Sequence, residues 1–357
     1  MATHAAPPSP VQPRKAPLVQ RPRAHAAHPR HTPRSRRAYG ALDLGTNNCR
    51  LLIARPGPSG FYVIDAFSRI VRLGEGLLET GRIADHAIDK AIDALGVCAD
   101  KLARRDVWIT RNVATEACRR AVNGPEFIER VHAETGIALD VITPEEEAHL
   151  AVIGCQALIR EEYSHALVFD IGGGSTEISL VETRGRRAVR QLGWNSVPWG
   201  VVSLTETEDA EADSVEGRLA AYGRMRARVA DNIAAAMPQL TPPGGWERLQ
   251  LLGTSGTITT LTSLHLGLPA YDRSKVDGTW VGNAAMRGVA DSLSRMDHRE
   301  RAEQPCIGSD RADLVVAGCA ILDAILEAFP VEKLCVADRG IREGILRTLM
   351  MRDGHRL

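Results

Sequence analysis

Ala166-Leu167-Val168-Phe169-Asp170-Ile171-Gly172-Gly173-Gly174-Ser175-Thr176-Glu177 is the stretch whose reading decides the fold. A run of apolar residues at its start marks a buried strand, and residues 177–181 have the composition of a second one. The three glycines between them carry no side chains. Their N–H groups are left unpaired and open to close approach, an arrangement that suits a chain of phosphates. A flexible linker is the plain alternative, but linkers do not sit between two strands with an acid at each end.

The same grammar occurs earlier. Residues 38–44 read as a short apolar strand broken at Gly45, and a second apolar run follows at residues 51–54. Between them stands Asp43-Leu44-Gly45-Thr46-Asn47-Asn48-Cys49-Arg50. Gly45 frees the backbone so that successive amides can point at one anion, while Thr46, Asn47 and Asn48 add side-chain donors. Alone, this turn reads equally well as an ordinary hairpin. A third turn, Gly253-Thr254-Ser255-Gly256-Thr257, follows an apolar strand at residues 249–252. Three such turns, two with an Asp at the strand end, define a site that grips phosphates from two sides. Ser175, Thr176, Ser255 and Gly256 join the candidate phosphate contacts. No G-x-x-x-x-G-K-[ST] supports a P-loop, and no G-x-G-x-x-G supports a dinucleotide fold.

Elsewhere strands and helices alternate, which predicts an α/β architecture. Ile88, Ala91, Ile92, Leu95, Ala99 and Leu102 recur at three- and four-residue steps, predicting a helix. A strand is expected at residues 107–110 and a long helix near residues 219–237. At ~100–200 residues per domain, 357 residues divide into two domains with a cleft between them. The expected units are residues 38–164 and 165–357, with the last helix packing back on the first domain.

Residues 1–37 differ from the rest. They hold eight Lys or Arg, four His, eight Pro and no acid, and are expected to be a disordered tail. Of 44 basic and 44 acidic residues in the chain, 36 and 44 remain beyond the tail, a net charge of −8. An acidic body argues against a broad nucleic-acid face. No apolar run reaches the ~20 residues that cross a bilayer, so no membrane association is expected. Seven cysteines at positions 49, 98, 118, 155, 306, 319 and 335 stand singly, which fits a reducing cytoplasm.

The two Asp-Gly turns, in this order and separation, resemble the phosphate loops of the exopolyphosphatase and guanosine pentaphosphate phosphohydrolase family. The resemblance runs on through Ala114-Thr115-Glu116-Ala117-Cys118-Arg119, Thr143-Pro144-Glu145-Glu146-Glu147-Ala148, Pro198-Trp199-Gly200-Val201-Val202, Asp310-Arg311-Ala312-Asp313 and Gly340-Ile341-Arg342-Glu343-Gly344. It implies two actin-like (ribonuclease H-like) domains around an interdomain cleft. It also implies release of terminal phosphate from inorganic polyphosphate or a polyphosphorylated guanosine nucleotide, and a tendency to dimerise.

Thr143-Pro144-Glu145-Glu146 has the form of a helix start, with Thr143 as cap and Glu146 returning a hydrogen bond to it. Glu147 is free of that duty and is the candidate base. The resemblance agrees, because the family's catalytic glutamate is the second of the Glu-Glu pair before Ala. Without the glycine turns, the three acids would read as favouring the positive end of a helix. A carboxylate beside a polyanion needs a cation to screen it. Mg²⁺ is the expected one, with Asp43, Glu147 and Asp170 as candidate ligands. Arg119 matches the family's phosphate-contacting arginine.

This chain departs from the family in having Asn48 where Ser is common, and Asp277-Gly278 where His-Gly is common. Longer relatives add helical domains, so a preference for shorter polyphosphate chains is expected. Guanosine pentaphosphate 5′-phosphohydrolase is the alternative, although 4% aromatic residues offer little for a guanine to stack on. An actin-like ATP-dependent kinase and a non-catalytic sensing module are the remaining alternatives. The region before Gly344 lacks the glycine-rich adenosine segment of such kinases.

Overall fold

A computed structural model describes residues 18–21, 34–58, 60–183, 189–208 and 210–357. Two mixed sheets organise it. The first contains β1 (Ala38–Leu44), β2 (Asn48–Gly57), β3 (Gly60–Ile70), β4 (Val107–Ala114) and β5 (Asp140–Val141), in the order β3-β2-β1-β4-β5. The second contains β6 (His165–Ile171), β7 (Thr176–Thr183), β8 (Val189–Val197), β9 (Leu249–Thr254), β10 (Trp280–Gly282) and β11 (Lys333–Ala337), in the order β10-β11-β9-β6-β7-β8. Each sheet opens with an antiparallel three-strand meander and then adds parallel strands on the other side of its first strand. The second sheet is thus the first one repeated, with β10 added antiparallel at its edge.

The repeat extends to hydrogen bonds. Asp43 lies opposite Arg50 across the first hairpin, and Asp170 lies opposite Glu177 across the second. Gly45 N–H donates to the Asn48 carbonyl at 2.9 Å, and Gly172 N–H donates to the Ser175 carbonyl at 2.9 Å.

Strand period 2 decides which residues meet which helices. Leu42, Leu44, Leu51 and Ile53 face the helix Asp85–Arg104, whose buried side is the stripe of Ile88, Ala91, Ile92, Leu95 and Leu102. On the second sheet, Leu167, Phe169 and Ile171 pack under the helices Val215–Leu240 and Val315–Ala328. Full burial contributes roughly 1.5–3 kcal/mol per large side chain, so these layers dominate the energetics.

The remaining sheet faces are covered crosswise. The helix Pro144–Cys155 follows the first sheet in sequence but lays Val152 and Cys155 against Ala166, Val168, Val181 and Leu252 of the second. The last helix, Ile341–Arg352, lays Ile345, Leu346, Leu349 and Met350 against Tyr39, Ala41, Leu52 and Ala54 of the first. The two helices cross at glycines. A Cβ built on Gly154 would lie 2.0 Å from the Gly340 carbonyl oxygen, and one on Gly344 would lie 2.0 Å from that of Leu150.

Several local expectations change. Residues 107–114 form one continuous strand, because Val113 and Ala114 continue the parallel pairing with Asp43 and Leu44. Gly253 and Thr254 end β9 rather than forming a turn, and Gly253 lies under the Phe169 ring. The apolar segment after them is the helix Gly256–His265.

Within the N-terminal 37 residues, those at 18–21 and 34–37 are described. The expectation of a disordered tail does not hold for them. Gln20 exchanges two backbone hydrogen bonds with Thr110, and its side chain bonds Gly136, Asn112 and Ala138. Arg21 and Arg37 stack on the Trp108 ring at 4.1 and 4.0 Å, which offsets their ordering cost. The rest of the tail lies outside the described residues. Among the described residues, no helix is long and apolar enough to cross a membrane.

Candidate active site

Both hairpin turns and the β9 end open into one cavity between the sheets. Asp43, Gly45, Thr46, Asn47 and Asn48 line it from the first sheet, and Asp170, Gly172, Gly173, Gly174 and Ser175 line it from the second. Ser255 and Gly256 form part of the same wall, and Glu147 reaches it from the crossing helix. The turns touch each other. A Cβ on Gly173 would lie 2.8 Å from the Thr46 Cβ and 3.1 Å from the Asn47 nitrogen, so only glycine permits this approach.

Two expected contacts lie elsewhere. Thr176 is buried beneath the turn and donates its hydroxyl to the Trp199 carbonyl at 2.8 Å, because position 176 already belongs to β7. Arg119 does not line the cavity. Its guanidinium donates to Glu147 Oε2 at 2.9 Å, to Glu116 Oε2 at 2.9 Å and to the Ile142 carbonyl at 2.6 Å. In this arrangement it holds the candidate base rather than a phosphate.

Glu147 is 7% exposed. Thr143 caps its helix by accepting from Glu146 N–H at 3.2 Å, as expected. The reciprocal bond from Glu146 does not form. Its carboxylate instead pairs with the buried Arg111 at 2.7 Å, and Arg111 also holds Asp140. Glu146 therefore has a structural role of a different kind, and Glu147 alone of the pair enters the cavity.

Reading by sequence missed Arg50, Thr115, Glu116, Glu177 and Arg311, all of which line the cavity. Arg50 and Glu177 had a signal: each sits opposite the Asp of its turn in a two-strand register. Arg311 had no local signal beyond its place in the Asp310-Arg311-Ala312-Asp313 segment of the resemblance, in the loop just before the helix Val315–Ala328. Asp277 is placed structurally; its carboxylate binds Arg339 at 2.8 Å and Asp338 N–H at 3.1 Å, away from the cavity walls.

The electrostatics are those of crowded acids. Burial raises the Asp170 pKa, helped by Glu177 and Asp43, and pushes it up to about 7. Burial also raises Asp43 and Glu177. Glu147 is lifted well above the carboxylate range by burial and by Glu177, against the opposing pull of Arg119. Burial and the nearby Arg342 lower the Arg50 pKa. A cavity lined by five acids, Asp43, Glu116, Glu147, Asp170 and Glu177, together with Arg50 and Arg311, suits a partner that carries both signs, such as a phosphate chain with cations.

Among the described residues, no three His, Cys, Asp or Glu side chains gather closely enough to hold a metal by themselves. As a closed three-carboxylate cage, the trio Asp43, Glu147 and Asp170 is not formed. Asp43 Oδ1 is nonetheless buried with no hydrogen-bond partner, which leaves a full acceptor pointing at nothing. Mg²⁺ usually takes one or two carboxylates and completes its shell with water and substrate phosphate, so the residues present fit it.

Two repeated α/β lobes with phosphate-type turns meeting in the cleft define an actin-like fold with a phosphate-handling site. The chain belongs to the Ppx/GppA phosphatase family, whose model matches residues 52–353. It is 31% identical over 323 residues to exopolyphosphatase 2 of Mycobacterium tuberculosis, covering 87% of this chain and 97% of that protein. It is 27% identical over 312 residues to a guanosine-5′-triphosphate,3′-diphosphate pyrophosphatase of Aeromonas salmonicida, covering 87% of this chain but 59% of that longer protein. Among solved structures, the Aquifex aeolicus Ppx/GppA family member superimposes with a TM-score of 0.73 at 30% identity, over 90% of this chain and 99% of that one. An exopolyphosphatase-like protein gives a TM-score of 0.80 at 28% identity, over 88% and 98%.

Proposed function

We propose that this phosphatase releases terminal orthophosphate from inorganic polyphosphate, with Glu147 accepting the proton of the attacking water. The observation that carries the reading is the position of Glu147: nearly buried, held by Arg119 at 2.9 Å, and facing the cavity where both glycine turns meet. Burial and Glu177 raise its proton affinity, and Arg119 opposes that rise.

In this reading, the turn amides and Ser175 orient the terminal phosphoryl group, and Arg50 and Arg311 take up charge that develops on its oxygens. Asp43 and Asp170 would hold Mg²⁺, with Glu147 beside it. When bound, the ion would neutralise phosphate charge and lower the repulsion between substrate and carboxylates. Convergence of turns from both sheets keeps out water other than the nucleophile.

The sequence relationship to guanosine-5′-triphosphate,3′-diphosphate pyrophosphatases favours a second substrate, guanosine pentaphosphate. We favour polyphosphate because no aromatic side chain lines the cavity among the described residues. The preference for shorter chains, a cytoplasmic location and a homodimer remain part of this reading. Phosphate release from polyphosphates of defined length and from guanosine pentaphosphate, with and without Mg²⁺, tests the chemistry, and sedimentation tests the dimer. No release from any of these substrates by the intact chain with Mg²⁺ present would overturn the reading.

A further inference from the structure

A second concavity adjoins the site. Asn48 and Arg311 line both spaces, so the two adjoin at these side chains. Beyond them it is walled by Arg69 and Arg72 from the end of β3 and the turn after it, by Lys90 from the helix Asp85–Arg104, and by Asp310.

Its cations differ in their pairing. Arg72 is neutralised and spans the lobes, donating to Asp313 Oδ2 at 2.9 Å and to the Asp310 carbonyl at 3.3 Å. It does so from a left-handed backbone, φ 53°. Such strain persists only where the surroundings enforce it. Arg69, Lys90 and Arg311 have no carboxylate within 4.0 Å among the described residues. Arg69 rests over the Phe67 ring at 5.3 Å, and Arg311 reaches only the Thr260 hydroxyl at 3.3 Å. Isolated exposed cations are ordinary. Three unpaired ones around one hollow, in a protein whose body carries a net charge of −8, are a local concentration that raises the density of polyanions at its mouth.

We propose that this groove is the subsite for the distal phosphates of the polyphosphate chain, which leave the catalytic cavity past Asn48 and Arg311 and run between Arg69 and Lys90. The inference rests on the proposed function and adds where the rest of the substrate lies. The groove is short, so affinity rises with chain length until it is filled and then levels off. Beyond the length that fills the groove, further phosphates add nothing to affinity.

Binding without turnover separates the two ideas. In full-length Glu147→Gln protein, titration calorimetry with triphosphate and with polyphosphates of increasing defined length is expected to show the rise and plateau. Adding Arg69→Glu and Lys90→Glu is expected to lower the long-to-short affinity ratio by about tenfold or more. It should also make the salt dependence shallower by about one to two in log–log slope, as for lost phosphate contacts. A control carrying Lys275→Glu and Arg299→Glu makes the same change in net charge at exposed positions away from the groove, and should keep the ratio. Equal losses on short and long chains, no loss, or the same change in the control would overturn the subsite. Length-dependent binding that the groove variant abolishes, in a protein whose Glu147 form releases no phosphate, would sustain the groove and sink the hydrolase reading instead.

Discussion

Gly344 and Leu150 touch so closely that a Cβ on the glycine would lie 2.0 Å from the leucine carbonyl oxygen. This contact fixes the crossing of the helices Pro144–Cys155 and Ile341–Arg352, and each of these helices seals the sheet of the opposite lobe. Glu147 lies on the first of them, so the crossing also sets where the candidate base stands.

Gly344→Ala should therefore destabilise by about 1–3 kcal/mol, the usual cost of overpacking. It should also reduce phosphate release by displacing Glu147. Gly96→Ala is the contrast, because nothing lies within 4 Å of a Cβ there and the residue is inside the helix Asp85–Arg104. That change should stabilise by about 0.5–1 kcal/mol. Urea unfolding of both variants checks the pair, and a Gly344→Ala protein as stable as wild type would refute the close contact.

Glu147→Gln should lower kcat by about 10²–10⁴-fold, the range for loss of a positioned base. The carboxamide keeps the shape but leaves Arg119 with a weaker partner, so a modest loss of stability should accompany it. Malachite-green detection of phosphate and a circular dichroism melt measure the two effects. A folded variant with undiminished turnover would move the base elsewhere.

Asp170 makes stability depend on pH in a stated direction. Its proton affinity is pushed up to about 7 from 3.8 by burial, so the folded state holds more protons than the unfolded state between these values. Stability must then fall as pH rises from about 4 to about 7 and stay lowered above. In chelator, Asp170→Asn should flatten that decline and be the more stable form at about pH 8, by on the order of a few kcal/mol at most. Mg²⁺ should flatten the wild-type decline too, by favouring the ionised carboxylates. Parallel melting curves across pH in both proteins would count against a buried, proton-loving Asp170.

Ser255 stands at φ 142°, ψ 173°, a backbone region that only glycine occupies freely, and its hydroxyl caps the helix Gly256–His265 by accepting from Ile258 N–H at 3.3 Å. Ser255→Gly relieves strain worth ~1–3 kcal/mol and costs only a few tenths in capping. A rise in melting temperature is expected together with lower phosphate release, because Ser255 lines the cavity. A variant that is both less stable and fully active would show that the strain has no part in the site.

Local chemistry made much of this protein readable. Glycine turns after buried strands announce themselves because few other residues tolerate backbone so near another chain. Glu147 stood out because a helix cap assigns its neighbour a separate role, even though the partner of Glu146 proved to be Arg111 rather than the cap. Arg50 and Glu177 were within reach of the same reasoning through strand register.

The amino-acid order by itself determined two repeated α/β units, two glycine turns after buried strands and the Thr143-capped helix start that carries Glu147, since each depends on contacts among residues close in the chain. The crosswise helices, the attachment of Arg119 to Glu147, the arrival of Arg311 and the basic groove were decided by tertiary structure. Each of these joins residues far apart in sequence, and such pairs leave no periodicity to read: burial of apolar faces selects them only when both lobes have closed on one another.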